Sequence, residues 1–270
     1  MPIVCETIIE PISEEEFHKI DYKIMDLVFE VHNELGRFCN EKIFQNRLAL
    51  LCEKNGFNSV STEVPIVISF NGFIKRYYID LVINNAVIYE LKTARSLINE
   101  HHRQTLNYLL LTGINHGKII NFGTSSIEKD FVSTKLNLIK RHSFFINSDD
   151  WHDIDNNGKS FKNLIINLLN DWGAFLDIQL FYDAIVFFCG GINNVLGNVE
   201  LFCDNKIVGK QKIHLLNNKV AFRLSGITKE KKFYRKHLVK FLNHTKLDAL
   251  QWVNFNHHNI EFETIFNKNN

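Results

Sequence analysis

The sequence predicts a mixed α/β or α+β fold, because helical and strand patterns alternate along the first half of the chain. Apolar residues recur at helical spacing over 17–35, and Gly36 follows where such a helix would end. Between Tyr77 and Lys92, two runs rich in β-branched and aromatic residues flank Asn84-Asn85, which predicts a hairpin. The chain of 270 residues, 45% hydrophobic, can bury one large core or two modest ones.

The remaining elements of this half complete the order α-α-β-β-β-α-β. Glycines follow the second and third predicted helices, at Gly56 and Gly113, and the first two strands flank the turn Asn71-Gly72. Residues 1–15 are expected to form an arm that leads into the first helix. The predicted helices cover 17–35, 41–55 and 100–111, and the strands outside the hairpin cover 64–70, 74–79 and 118–122.

Three charged residues interrupt the apolar hairpin: Asp80, Glu90 and Lys92. Glu90 and Lys92 are two positions apart and therefore share one face of their strand. A two-residue loop at Asn84-Asn85 would put the carboxylates of Asp80 and Glu90 on opposite faces of the sheet. A three-residue loop, or a bulge, would place Asp80 opposite Glu90.

The charged residues of the hairpin allow two interpretations. Two carboxylates beside a lysine suit a hard divalent cation together with a cationic group that stabilises charge. The alternative is a sheet edge that carries a surface salt bridge. Glu41 is similarly ambiguous, because a carboxylate in the first turn of a helix is favoured by the helix dipole.

The overall charge of +1 provides no global attraction for a polyanion, so any such contact has to come from local basic clusters. The five cysteines show no C-x-x-C spacing and are expected to be reduced thiols of a cytoplasmic protein. The start of the sequence lacks the pattern of a signal peptide, and no run is long enough to span a membrane.

Several short motifs occur in a fixed order between about residues 20 and 132: GRFCNEKIF (Gly36–Phe44), YYID (Tyr77–Asp80), YELK (Tyr89–Lys92) and QTLNYL (Gln104–Leu109) with INFG (Ile120–Gly123). Together they resemble the GxxExxY family of the PD-(D/E)XK nuclease-like superfamily. Phe44 departs from the family pattern, which has tyrosine there, but the lost hydroxyl leaves the expected metal ligands untouched.

This resemblance implies a restriction-endonuclease-like core, with a central mixed sheet flanked by helices. It also implies a site for Mg²⁺ or Mn²⁺ held by Asp80 and Glu90, with the Leu91 carbonyl as a further ligand and Glu41 as an outer carboxylate. Lys92 would assist the attacking water and stabilise charge on the phosphate. Gln104 and Tyr108 would support the metal site.

Comparison of the sequence with itself predicts a duplication. At an offset of 133 residues, INNAVIYELK (83–92) aligns with LNNKVAFRLS (216–225), and the alignment continues without a gap to Glu128 and Glu261. Upstream, Gly36 aligns with Gly173 at an offset of 137. The predicted organisation is a nuclease-like domain over 1–147, a polar linker over 148–159 and a second copy over 160–270.

The second copy lacks the charged residues of the first, so it is expected to be degenerate and to bind no dication. Its histidines lack the spacing of a zinc site and are expected to be surface or packing residues. Asp80 aligns with Ile213, Glu90 with Arg223, Lys92 with Ser225, Glu41 with Ile178 and Gln104 with His237.

The predicted function is metal-dependent hydrolysis of phosphodiester bonds in DNA by an endonuclease. One alternative is a non-catalytic nucleic-acid-binding or scaffold protein that retains the fold, and another is a hydrolase of other phosphate esters. No membrane partner is expected, and the chain would act as a monomeric pseudo-dimer or as a homodimer. Residues expected to contact nucleic acid are Lys75, Arg76, Arg95, Arg103, Lys231, Arg235 and Lys236.

Overall fold

The computed structural model describes residues 2–269, and the described chain divides into two units between Leu138 and Ile139. The first unit contains β1 (Ile3–Cys5), α1 (Glu14–Leu35), α2 (Glu41–Lys54), β2 (Val60–Phe70), β3 (Phe73–Ile83), β4 (Val87–Lys92), α3 (Asn99–Thr112), β5 (His116–Asn121) and β6 (Glu128–Ser133). The short α4 (Leu138–Arg141) spans the boundary. The second unit contains β7 (Phe145–Asp150), α5 (Asn156–Trp172), α6 (Ile178–Phe188), α7 (Ile192–Val195), β8 (Leu196–Cys203), β9 (Lys206–His214), β10 (Val220–Ser225), α8 (Lys231–Asn243), β11 (Ala249–Asn256) and β12 (Asn259–Phe266).

The first unit is built on a six-stranded mixed sheet in the order β1-β2-β3-β4-β5-β6. The pair β4–β5 is parallel and is joined by the crossover helix α3, whereas the other neighbours are antiparallel. This mixed sheet flanked by helices is consistent with a restriction-endonuclease-like fold, and the predicted fold class is confirmed.

The helix α1 starts where its sequence supplies a capping box. The Ser13 hydroxyl accepts from the Glu16 backbone N–H, and the Glu16 carboxylate accepts from the Ser13 backbone N–H. The apolar side of α1 packs with α2 into the core beneath the sheet, through Phe17, Ile24 and Val28, none of which is exposed. Burial of each such side chain stabilises the fold by about 1.5–3 kcal/mol.

Phe44, the departure from the family motif, is a core residue of α2. Its ring is fully buried and stacks on Phe122, with ring centroids 4.5 Å apart and an interplanar angle of 12°. A phenylalanine satisfies this position, because a hydroxyl in the stack would need a hydrogen-bond partner.

The second unit has a four-stranded sheet in the order β10-β11-β12-β7 and a separate two-stranded sheet, β8-β9. The alignment of 83–92 with 216–225 predicts a hairpin between β9 and β10 like that between β3 and β4, and the structure has only its closed end. The strand β9 pairs along its length with β8 and meets β10 through one isolated bridge, Leu215↔Ala221.

Several strand pairs in the second unit repeat those of the first at an offset of 133 residues, although β8 and β9 are shifted by one residue over Leu196–Leu201. Both units contain a β-β-β-α-β-β series, which is β2-β3-β4-α3-β5-β6 in the first unit and β8-β9-β10-α8-β11-β12 in the second. In both series the third strand (β4 or β10) is parallel to the fourth (β5 or β11), and the fourth is antiparallel to the fifth (β6 or β12). The pair Val82↔Ile88 of the first unit corresponds to Leu215↔Ala221 of the second. In the same way, Lys92↔Asn121 corresponds to Ser225↔Asn254, and Asn121↔Glu128 corresponds to Asn254↔Glu261.

A side-chain bracket is repeated with the same offset. The Asn121 side chain donates to the Ala94 carbonyl (3.0 Å) and to Glu128 (3.0 Å), and it accepts from the Ala94 N–H (2.9 Å). The Asn254 side chain makes the equivalent bonds to the residues 133 positions later, Ile227 (2.9 and 2.8 Å) and Glu261 (2.9 Å). In both units the bracket fixes the chain segment that leaves the third strand of the series.

Two predicted boundaries are wrong. The segment 148–159 is not a linker, because β7 runs to Asp150 as an edge strand of the second sheet and α5 begins at Asn156. The segment 1–15 is not only an arm, because β1 pairs with β2 and extends the first sheet. Short polar strands such as FINSDD (145–150) lack the apolar alternation that predicts a strand.

Candidate metal centre

The loop of the β3–β4 hairpin determines whether the two central carboxylates meet. The pairs Leu81↔Tyr89 and Ile83↔Val87 leave three residues, 84–86, in the loop, and Asn84 and Asn85 have positive φ angles of 53° and 52°. This register places Asp80 opposite Glu90. Of the connections that the sequence left open, the structure has the three-residue loop, and asparagine tolerates the left-handed conformation that this loop requires.

Three of the predicted site residues surround the ammonium group of a fourth, Lys92. The Lys92 Nζ atom lies 2.5 Å from Glu90 Oε1, 4.0 Å from Asp80 Oδ2 and 3.9 Å from Glu41 Oε2. Glu41 reaches this point because it begins α2, where Asn40 caps the helix with its side chain. The cluster thus joins β3, β4 and the start of α2.

Glu90 has the most constrained environment in the cluster. Its side chain is fully buried, and burial together with the nearby charge of Asp80 raises its pKa from 4.5 to about 8. The Oε2 atom of Glu90 is buried and accepts no hydrogen bond in the described part of the chain, although the protonated form of Glu90 can donate one to Asp80. A buried carboxylate oxygen without a partner is costly unless it binds a cation or a water.

Asp80 and Glu41 are less buried but are shifted in the same direction. Burial raises the pKa of Asp80, although the Leu91 N–H donates to its Oδ2 at 2.7 Å and Lys92 lies nearby, and both oppose the shift. Burial also raises the pKa of Glu41 against the opposing effect of Lys92. A nearby positive charge therefore stabilises the ionised form of all three carboxylates.

Burial opposes the charge of Lys92, but Glu90, Asp80 and Glu41 outweigh it and raise the pKa of this lysine. Lys92 is therefore cationic at neutral pH. Its ammonium group compensates three carboxylates that would otherwise repel one another.

The two predicted supporting residues lie on α3, one turn apart. The Gln104 amide donates to the Tyr108 hydroxyl at 2.9 Å. Burial, followed by the charge of Glu90, raises the pKa of Tyr108 well above its ordinary range. Tyr108 is thus within electrostatic reach of the cluster, whereas the hydrogen bond of Gln104 connects it to the cluster only through Tyr108.

Two residues next to the cluster were not predicted from the sequence. The Gln45 amide donates to the Asp80 carbonyl at 2.6 Å and to Glu63 Oε1 at 2.9 Å, and Lys42 also lies 3.0 Å from that oxygen. Glu63 contributes to the raised pKa of Asp80 and of Glu41. Gln45 falls one position after the matched motif, and Glu63 stands in a strand pattern that gives no indication of its role.

The basic residues predicted to contact nucleic acid are either exposed or engaged with groups of their own unit. In the first unit Arg76 and Arg95 are exposed, Arg103 is paired with Glu100, and the Lys75 ammonium lies over the Tyr77 ring at 5.6 Å. In the second unit Lys231 lies 2.7 Å from Glu261, Arg235 is paired with Glu263, and Lys236 is exposed. Internal carboxylates thus compete for several of these cations.

The cluster fits a divalent cation bound by few protein ligands. No group of three Asp, Glu, His or Cys side chains within residues 2–269 is arranged to enclose a metal ion. Mg²⁺, however, is usually bound by one or two carboxylates, with waters and substrate phosphate completing its shell. The opposed carboxylates of Asp80 and Glu90, with the unpartnered Glu90 Oε2, meet that requirement.

Comparison with known families agrees with this geometry. Residues 18–133 match the family model described as the PD-(D/E)XK nuclease superfamily. The match lies within the first unit, covers less than half of the chain and includes every residue of the cluster. Nucleases of this superfamily generally use divalent metal ions and act on nucleic acid.

The comparison with curated proteins found no match, and the comparison with solved structures found none either. Across residues 2–269, no helix combines the length and the apolar character needed to cross a membrane.

Proposed function

We propose that the first unit is a Mg²⁺- or Mn²⁺-dependent endonuclease that hydrolyses phosphodiester bonds in DNA. The supporting observation is the opposition of Asp80 and Glu90 beside Lys92, with a buried carboxylate oxygen that lacks a partner. A surface salt bridge at a sheet edge would not require a fully buried glutamate, since exposed ion pairs contribute little to stability.

Each residue of the cluster has a role that follows from its position. Asp80 and Glu90 would hold the cation, with the Leu91 carbonyl as a further ligand. When bound, a divalent cation polarises the scissile phosphate and lowers the pKa of a bound water. The Lys92 ammonium is placed to stabilise negative charge that develops on the phosphate, and the half-exposed Glu41 can orient a water at the edge of the cluster.

We also infer that the chain belongs to the GxxExxY subfamily and that its second unit is a degenerate copy of the first. The motif over 36–44 supports the subfamily. The common register at an offset of 133 and the repeated asparagine bracket support the duplication. At the start of α6, Ile178 follows its cap Asp177 as Glu41 follows Asn40 in α2, so the helix is kept while the carboxylate is lost. That the two copies act as a pseudo-dimer, or that the chain forms a homodimer, stays a prediction.

Nicking of supercoiled plasmid tests the proposal. A closed circular plasmid has no ends, so its conversion to the open circular form reports endonuclease action. We expect wild-type protein to nick plasmid with Mg²⁺ or Mn²⁺ and not with EDTA, and Lys92→Ala to lose this activity while keeping its fold by circular dichroism. The matched control is Lys54→Ala, which changes an exposed lysine in the last turn of α2.

The same assay separates the alternatives. Metal-dependent nicking that is equal in wild type and Lys92→Ala would refute the assigned site. Binding of plasmid without any cleavage would favour the non-catalytic interpretation, and cleavage of structured RNA but not of plasmid would overturn the choice of DNA.

A further inference from the structure

A cavity of about 350 Å³ occupies the position in the second unit that the metal cluster occupies in the first. It lies between β9, β10 and α8. Its walls include Ile213, Arg223, His237 and Phe241, which stand 133 positions after Asp80, Glu90, Gln104 and Tyr108. The copy has therefore kept an opening at this place while replacing the side chains that surround it.

The charge of this opening is inverted. No carboxylate lines the cavity, whereas Arg223 and Lys212 both do, together with His214 and His237. The Arg223 Nε–H donates to the Tyr234 hydroxyl at 3.2 Å, and no salt bridge in the described part of the chain involves Arg223 or Lys212. Both cationic side chains are exposed and are therefore accessible to an external anion.

Flat rings line the same cavity beside the cations. Tyr234 is held by its ring contact with Trp252 (5.6 Å between centroids), and Phe222 is held by His214 (5.3 Å). Phe241 completes this apolar side. Aromatic rings next to basic groups suit a nucleobase that carries a phosphate, because the base stacks and the phosphate pairs with arginine.

We propose that the cavity formed by β9, β10 and α8 binds one nucleotide, with its phosphate on Arg223 and Lys212 and its base against Tyr234 and Phe241. A volume of about 350 Å³ lies at the lower end of the range for small-molecule pockets and leaves room for a single nucleotide unit. That this nucleotide belongs to a nucleic-acid strand rests on the proposed nuclease function. A free mononucleotide has the same chemistry.

Binding of a fluorescein-labelled single-stranded oligothymidylate, measured by anisotropy in EDTA, tests this proposal without any cleavage. Arg223→Gln should weaken binding on the order of tenfold or more, since a hydrogen bond to a charged group contributes about 1.5–3 kcal/mol. Lys212→Gln provides a second variant at an exposed position, should Arg223→Gln not fold. The matched control is Lys206→Gln, an exposed lysine on the same strand but outside the cavity, which should bind like wild type.

Competition distinguishes the sources of the nucleotide. Thymidine monophosphate that displaces the oligonucleotide, and does so far better than inorganic phosphate at equal ionic strength, supports a site for a nucleotide unit. Arg223-dependent binding of the oligonucleotide without competition by the monophosphate assigns the site to a strand, and the reverse assigns it to a free nucleotide. Equal competition by inorganic phosphate overturns the proposal, as does unchanged binding in both Arg223→Gln and Lys212→Gln.

The outcome is separable from that of the nuclease assay. If Lys92-dependent nicking occurs while both cavity variants bind normally, only the cavity proposal fails. If no nicking occurs but binding in EDTA depends on Arg223, only the nuclease proposal fails.

Discussion

Replacing Glu90 by glutamine should remove a pH-dependent cost from the metal-free protein. The folded protein raises the pKa of this carboxyl from 4.5 to about 8, so folding favours the protonated form. The associated stability is fully present below pH 4.5 and is lost as the pH rises through about 8. Glu90→Gln keeps the shape of the side chain and removes the ionisation.

The size of the effect follows from the pKa difference. At about 1.4 kcal/mol for each pKa unit, the difference between 4.5 and about 8 sets an upper bound of about 5 kcal/mol. The Lys92 ammonium, 2.5 Å from Glu90 Oε1, lowers this pKa, so the value of about 8 already includes its effect. We therefore expect Glu90→Gln to be close to wild type at pH 5 and more stable at pH 9, by at most about 5 kcal/mol.

Urea unfolding in EDTA at pH 5, 7 and 9, followed by circular dichroism, measures this difference. The slope with urea should stay the same in wild type and variant, so that a changed midpoint reports stability. Glu41→Gln is the matched control, because it makes the same chemical change at the half-exposed edge of the same cluster and should show a weaker pH dependence. If the difference between wild type and Glu90→Gln does not change with pH, the inferred burial cost of this carboxylate is wrong.

Three further predictions concern Asp80, the core residue Leu91 and the two bracket asparagines. Asp80→Asn and Asp80→Ala should both abolish metal-dependent nicking. Only the alanine leaves the Leu91 N–H without its acceptor, so Asp80→Ala alone should lose about 1–3 kcal/mol of stability in urea unfolding. Equal stability of the two variants would contradict the role of that hydrogen bond. Leu91→Ala should lower the free energy of unfolding by about 2–5 kcal/mol, because the side chain is fully buried. A loss below about 1 kcal/mol would show that the core relaxes around the smaller side chain. Asn121→Ala and Asn254→Ala should each destabilise their own unit by about 1–3 kcal/mol, which local hydrogen exchange can measure. An effect in only one unit would argue against equivalent brackets.

The stability prediction for Asp80 differs from the one that the sequence supports. From the sequence, Asp80 is only a metal ligand, and its removal would relieve repulsion between like charges. In the structure its Oδ2 also accepts the Leu91 N–H at 2.7 Å. A carboxylate that caps a backbone donor cannot be truncated without leaving that donor unsatisfied, and only the tertiary structure reveals such a bond.

Much of the candidate site could be predicted from local pattern. Alternation of side chains along β4 puts Glu90 and Lys92 on one face whatever the surroundings. The similarity at an offset of 133 residues is detectable because apolar spacing is retained where residue identity is not. The offset of 133 found by alignment is the offset of the strand registers in the structure. These features depend on neighbours in sequence or on repeated periodicity.

Other features depend on contacts between distant segments, and the sequence left them open. The three-residue loop over 84–86 decides that Asp80 faces Glu90, since asparagine permits several turns and only the pairing of β3 with β4 selects one. The depth of Glu90, and with it the raised pKa, results from packing of the whole sheet. The inverted charge of the second cavity likewise arises only when Lys212 and Arg223, from different strands, line the same opening. The sequence by itself determined the chemical groups and their periodicity, and the tertiary structure decided which of them meet, because register and burial are set by long-range pairing.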